Sequence, residues 1–351
     1  RPRSEAPRVV AAATALGAAL GVAVWRRRTA ARRVERRVAA RLRVGGDGVV
    51  PGAGAIALDG EAERAVLVVH GFGDTPQSVA ELARALHADG WTVRVPLLPG
   101  HGRTLGEFTR SDAAAWLAGA RAAYAELRAR HRTVALVGQS MGGALCVALA
   151  AEAAPAALVL LAPYLVMPTV ARLAARLHRA LALVLPYVGA EGGARSIHDE
   201  AARAAALGFG VVTPRLVAEL RRVVAEAWRQ APAVRSPTRV LLSRQDHRVE
   251  AEACGRVVAR LGCSVRDVVL LHECGHVITV DRERAEVFAL TRAWLERHVE
   301  APAVRRGDGG PSGPRVRPRP VRPAVRAGPS SGPSNGPSNG PSNGPSTGTA
   351  A

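Results

Sequence analysis

Short apolar runs rich in Val and Leu alternate with longer stretches of helical spacing through the middle of this 351-residue chain, and no single motif restricts the fold as much. Strands are expected over residues 65–70, 92–98, 133–138, 157–162, 239–243 and 265–272. Helices are expected over residues 76–89, 111–130, 141–153 and 249–261, with 282–298 after the last strand. Strands apolar on both faces belong to a parallel sheet covered by helices. The expected class is therefore α/β, with a mostly parallel central sheet and helices on both faces. One interval breaks the rhythm: about 75 residues separate Ala162 from Arg239, far more than a crossover needs. They contain helical patterns over 170–185 and 214–230. An insertion placed there, before the last two strands, should form a helical cap over residues 164–235, above the carboxyl ends of the strands where such sheets do their chemistry.

The chain carries 48 basic residues, all of them Arg, and a net charge of +19. That charge sits mostly in the two ends: +10 falls in residues 1–43 and +6 in 301–351, leaving +3 on residues 44–300. A nucleic-acid groove concentrates charge on the folded part, so nucleic acid is not an expected partner. Residues 9–25 form an uncharged run of 17 residues, about 25 Å as a helix, with seven Ala. Nine Arg follow it in residues 26–43, against three in residues 1–8. The positive-inside bias then leads to a membrane-anchored chain whose folded domain faces the cytoplasm, with a soluble cytoplasmic protein whose N-terminal helix is packed as the alternative. Within the basic stretch Val34, Val38 and Leu42 recur every four residues, the pattern of an interfacial helix on an anionic leaflet or else of a solvated Arg-rich linker. From Ala301 onward, Pro, Gly, Ser and Arg dominate and GPSN repeats close the chain, a composition that cannot bury enough apolar area to order itself. The expected organisation is a 1–43 helix with its juxtamembrane segment, a 44–300 folded domain and a 301–351 disordered tail. Cys146, Cys254, Cys263 and Cys274 show no C-x-x-C pairing and are expected as free thiols in a reducing compartment.

Gly138-Gln139-Ser140-Met141-Gly142 matches G-x-S-x-G, the sharp turn that lifts a serine hydroxyl above a sheet. The motif recurs five times in the tail, centred on Ser330, Ser334, Ser338, Ser342 and Ser346, but each of those follows Pro with no strand upstream. Ser140 alone stands between a strand pattern and a helix pattern; the competing role there is a simple N-cap. A serine hydroxyl needs a base, and the imidazole base needs an orienting acid. Asp246 follows one strand pattern by three residues and His276 follows the last by four, the positions this chemistry requires. Otherwise they would be a loop cap and a surface histidine. The developing oxyanion needs two backbone N–H donors, expected from Met141 after the nucleophile and from Phe72 in the His70-Gly71-Phe72-Gly73 loop. His272-Glu273-Cys274-Gly275-His276 also spells H-E-x-x-H, a zinc signature that works only on a helix. A strand pattern leads in and Gly275 disfavours helix, so no metal is expected.

With these pieces in this order the chain resembles the α/β-hydrolase superfamily, and within it the bacterial carboxylesterase and monoacylglycerol lipase group often called serine aminopeptidase S33-like. The matching segments are HGFGDTP (70–76), PLLPGHG (96–102), GQSMGG (138–143), QD (245–246) and CGHVITVD (274–281). The resemblance implies Ser140 as nucleophile, His276 as base, Asp246 as its orienting acid and Phe72 and Met141 as oxyanion donors, which agrees with the reading from the residues. It implies acyl transfer through an acyl-enzyme with no cofactor, on monoacylglycerol-like or medium-chain esters. The cap residues Leu173, Leu177, Leu181, Val184 and Leu185 either line the acyl pocket or are the cap's own packing. The same triad also serves thioesterases, acyltransferases and peptidases or amidases, and a non-catalytic membrane-tethered binding module is the reading from a different class.

Overall fold

The computed structural model describes residues 6–60, 63–189 and 196–299, and within its first helix the side chains of residue 18 and of residues from 21 onward. The expected tail and residues 190–195 of the cap lie outside the described residues. In chain order the strands are β1 (Ile56–Leu58), β2 (Arg64–Val69), β3 (Thr92–Val95), β4 (Thr133–Gln139), β5 (Leu158–Leu161), β6 (Val188–Gly189), β7 (Val211–Val212), β8 (Thr238–Ser243) and β9 (Arg266–Leu271). Seven of them form one sheet in the order β1-β3-β2-β4-β5-β8-β9; β1 is antiparallel to β3 and every other pair is parallel. All six expected strands are present. The second stops at Val95 instead of Leu98, because Pro96 has no N–H to continue the ladder. The three-residue edge strand β1 is too short to leave a periodic signal.

The sheet is buried on both faces, as its unbroken apolar strands require. Leu67 and Val69 of β2 belong to one core, and Val66 and Val68 to the other. On β5, Leu158 and Leu160 separate from Val159 and Leu161 in the same way, the two-residue period of a strand. Each fully buried Val or Leu contributes about 1.5–3 kcal/mol relative to exposure, so the central strands form a rigid base for the loops at their carboxyl ends. One face is covered by α4 (Ala113–Arg130), α5 (Met141–Ala153), α9 (Pro214–Gln230) and α10 (Ala251–Val258). The other is covered by α2 (Ala80–Ala88) and α11 (Arg284–His298). A short α3 (Leu105–Arg110) precedes α4, its first turn closed by a capping box between Thr104 and Glu107.

The insertion between β5 and β8 is helical, as expected: α6 (Thr169–Arg176), α7 (His178–Val184), α8 (Glu200–Ala205) and α9, with β6 and β7 paired antiparallel. Of these, α9 packs on α5 as well as on α6 and α7, so it joins the cap to the sheet.

The N-terminal helix departs from the leading expectation, a membrane anchor, and is packed on the protein as in the alternative. The described α1 (Ala6–Arg41) is one continuous helix of 36 residues. Val38 and Leu42 are each 5% exposed and Val34 packs on the same core. The face expected to rest on a leaflet, or to be solvated as a linker, is instead occupied by protein: two turns of apolar residues register burial but not the identity of the covering surface. The helix is fastened to the cap by Arg27 Nε donating to the Ala182 carbonyl at 2.8 Å, by Arg41 donating to the carbonyls of Ala206 and Gly208, and by Tyr187 Oη donating to Glu35 at 3.0 Å. Described residues on both sides of the expected boundary at 43 fall within one compact unit. Among the described residues no helix is long and apolar enough to cross a membrane, so the expected span over 9–25 is not supported; most of that run's side chains lie outside the described residues.

Candidate active site

The turn between β4 and α5 places Ser140 at φ 55° and ψ −118°, a conformation costly for any residue with a Cβ. Its neighbours make the turn possible. A Cβ on Gly142 would lie 2.1 Å from the Val69 carbonyl oxygen, and one on Gly138 would lie 2.5 Å from the Gly142 carbonyl oxygen, so strand and helix approach closely only because both are Gly. Ser140 makes no side-chain cap bond to α5, which disposes of the N-cap role. Its hydroxyl stands 2.7 Å from His276 Nε2, and His276 Nδ1 stands 2.7 Å from Asp246 Oδ2.

Three separate loops supply these groups, each after the carboxyl end of a strand: β4 for Ser140, β8 for Asp246 and β9 for His276. The Asp246 side chain is 1% exposed, and its other oxygen accepts from the backbone N–H of Arg248 at 2.7 Å and of Val249 at 3.0 Å. Burial by itself would raise this carboxyl; the charge of His276, its hydrogen bond and the two backbone N–H groups outweigh burial and hold it below the usual carboxylate range. An ionised Asp246 favours a proton on His276 Nδ1, which leaves Nε2 to accept from Ser140.

The His70–Gly73 loop runs beside Ser140: a Cβ on Gly71 would sit 3.4 Å from Ser140 Cβ. Gly73 takes φ 67° and its carbonyl accepts from Phe209 N at 2.9 Å. Met141 opens α5, so its N–H has no partner within the helix. Beneath the loop, His70 Nε2 accepts from Leu98 N at 3.2 Å, which leaves Nδ1–H to donate to the Gly71 carbonyl at 2.9 Å. Burial lowers His70 to about 4, so it is neutral and both ring nitrogens are satisfied. Phe72 packs against Phe108 and Trp116, and Phe108 stacks on Phe209 of the cap at 4.8 Å between ring centroids, tying loop, α3 and cap together.

Two further carboxylates hold the histidine loop. Buried Asp281 accepts from the backbone N–H groups of Gly275 (2.7 Å), His198 (2.9 Å), Asp199 (2.9 Å) and Arg282 (3.0 Å). It therefore anchors the residue before His276 to the cap. Glu283 likewise accepts from His272, Glu273 and Cys274. Residues 272–276 are not helical, so the H-E-x-x-H spelling lacks the geometry that metal ligation needs. All four cysteines are free and buried.

A cavity of about 590 Å³ opens over Ser140 and His276. Leu173, Leu177, Leu181, Val184 and Leu185 do not line it. Leu173 and Val184 are 55% and 72% exposed. The apolar wall comes from Met167, Ile197, Phe209, Val212 and Leu220, and from Val34 and Val38 of α1.

Residues 60–283, well over half of the chain, match the family described as serine aminopeptidase, S33. Over 236 residues the chain is 24% identical to a thermostable monoacylglycerol lipase of Bacillus sp. (strain H-257), which covers 67% of this chain and 91% of that protein. It is also 24% identical over 236 residues to a carboxylesterase of Bacillus subtilis (strain 168), at 67% and 93% coverage. A solved structure from the metagenome-derived lipolytic enzymes LipS and LipT is 29% identical with a TM-score of 0.66, covering 71% of this chain and all of that one. The Paleococcus ferrophilus monoacylglycerol lipase shares the fold at 18% identity and a TM-score of 0.61, covering 70% and 98%.

Proposed function

Because the chain belongs to the serine aminopeptidase S33 family of α/β-hydrolases and is a carboxylic ester hydrolase, we propose that Ser140 is its nucleophile, His276 the base and Asp246 the orienting acid, acting on monoacylglycerol-like or medium-chain acyl esters. The observation that carries this reading is the unbroken chain of contacts from Asp246 to His276 to Ser140, each 2.7 Å long. His276 Nε2 takes the Ser140 proton as Oγ attacks the ester carbonyl. The oxyanion is stabilised by the N–H groups of Phe72 and Met141. His276 then gives that proton to the leaving alkoxide, and water, deprotonated by the same nitrogen, releases the acid from the acyl-enzyme. No cofactor enters these steps. The cavity is of the size usual for small-molecule sites, about 300–1,000 Å³, and its apolar wall supports an acyl group as the occupant.

The test is a p-nitrophenyl ester chain-length series on the wild type and Ser140→Ala, with a fluorophosphonate label in parallel. Labelling and ester turnover with a chain-length optimum, both lost in Ser140→Ala, are expected. A folded wild type that is not labelled would remove the nucleophile assignment. A labelled protein that cleaves no ester would move the activity to thioesters, amides or acyl transfer.

A lipid surface as partner belongs to the same proposal. Val170 (82% exposed), Leu173, Leu183 and Val184 on α6 and α7, with Trp25 (66% exposed) on the Arg-rich α1, support peripheral contact with an anionic interface. Sedimentation with anionic vesicles, abolished by salt and by Leu183→Asp, is the expected result; no sedimentation at low salt would refute it.

A further inference from the structure

The cavity over Ser140 is apolar in most of its wall and lopsided in its charge. Four arginines line it: Arg37 and Arg41 one turn apart on α1, Arg203 on α8 and Arg248 two residues after the acid of the triad. A single carboxylate, Asp74, joins them. Among the described residues no carboxylate lies within ion-pair distance of Arg37, Arg41 or Arg248, and Arg203 reaches only Glu200, itself 90% exposed, at 3.5 Å. Arg41 spends its donors on the carbonyls of Ala206 and Gly208, and Arg248 donates through Nε to Ser196 Oγ at 2.9 Å. These contacts aim the side chains without neutralising them. The two acids that face Arg248 are both engaged: Asp246 by His276 and two backbone N–H groups, and Asp74 by burial, which raises its carboxyl toward the neutral form.

Arg203 and Arg248 are partly buried and Arg37 and Arg41 exposed, and a guanidinium remains charged in either setting. Four around one apolar cavity form a site for a molecule with an apolar body and an anionic group. We propose that Arg37, Arg41, Arg203 and Arg248 select an ester that carries a second, negatively charged carboxylate or phosphate group. This inference rests on the reading of Ser140 as nucleophile. It also gives α1 a role: the helix precedes the residues matched to the family, 60–283, yet contributes two of the four cations and two apolar side chains to the cavity.

Two matched substrate pairs test it. The acyl side is probed by p-nitrophenyl hemisuberate against p-nitrophenyl octanoate, and the alcohol side by 1-octanoylglycerol 3-phosphate against 1-octanoylglycerol. In at least one pair the anionic member is expected to have a kcat/KM about tenfold higher. That ratio should fall several-fold in Arg37→Gln/Arg41→Gln and in Arg248→Gln, and stay at the wild-type value in Arg36→Gln, an exposed position on α1 outside the cavity. The favoured pair shows whether the charge belongs to the acid or to the alcohol. Neutral members favoured in both pairs, or a ratio unmoved by the cavity variants, would overturn the proposal. Calorimetry on Ser140→Ala with octyl phosphate against 1-octylglycerol separates binding from catalysis. If the enzyme cleaves none of the esters, the ester reading fails, and equal binding of the two probes would then sink the anion site by itself.

Discussion

Asp281→Asn is the substitution that probes most sharply how the histidine loop is held. The carboxylate is fully buried and accepts four backbone N–H groups, three of them at one oxygen and Gly275 at the other, with His198 shared between the two. An asparagine must turn its NH2 toward one set. The cheaper choice sacrifices Gly275, and hydrogen bonds to a charged acceptor are each worth about 1.5–3 kcal/mol. Losing that bond, opposing an NH2 to a buried N–H at about 1–3 kcal/mol, and weakening the remaining three by removal of the charge give a cost of about 3–5 kcal/mol. That is a large part of the roughly 5–15 kcal/mol by which a domain is stable. Because Gly275 immediately precedes His276, the imidazole should also lose its register with Ser140. Denaturant unfolding followed by tryptophan fluorescence reads the first effect, and the rate of fluorophosphonate labelling in buffer reads the second. Labelling should slow at least about tenfold in protein that is still folded. A variant that unfolds within about 1 kcal/mol of wild type and is labelled at the wild-type rate would refute the view that Asp281 positions the catalytic loop.

Three other outcomes are expected. Asp246→Asn should lower kcat by on the order of a thousandfold or more, because the amide no longer holds the Nδ1–H tautomer; an ester assay checks it, and a change under about tenfold would remove Asp246 from the triad. His70, lowered to about 4 by burial, makes the native state bind fewer protons than the unfolded state below pH 6.5. Stability is then fully present above about 6.5 and falls by roughly 3 kcal/mol as pH drops to about 4; urea titrations across that range should show this slope, reduced in His70→Gln, and an unchanged slope would place the acid sensitivity elsewhere. Gly142→Ala puts a Cβ 2.1 Å from the Val69 carbonyl, so it should give insoluble or unlabelled protein, and a folded, active variant would show that the elbow is looser than described.

Much of the site was legible in the chain itself because it depends on local sequence. The strand–turn–helix around Ser140 sets a backbone conformation that needs Gly138 and Gly142, and the tail copies of the motif have no strand pattern before them. Asp246 and His276 were readable because each follows a strand whose carboxyl end must point to the same edge of a parallel sheet. By contrast, Asp281 and Glu283 gave no recognisable signal: their backbone partners lie on loops whose nearness depends on how β8, β9 and the cap pack. The apolar stripe through Leu173 and Leu181 was visible as periodicity, yet periodicity does not say whether a face meets a core, a cavity or solvent, and here Leu173 is 55% exposed. The same ambiguity, resolved the other way, governs α1. Its Val34, Val38 and Leu42 repeat was plain, but the covering surface comes from elements distant in the chain, α3 and the cap among them. Local pattern thus determined the α/β class, the positions of six strands along the chain and the three groups of the proposed triad. Only the tertiary structure decided that a helix outside the family's matched region walls the cavity and brings Arg37 and Arg41 to the same space as Arg203 and Arg248, because contact across such distances depends on packing and leaves no trace in neighbouring residues.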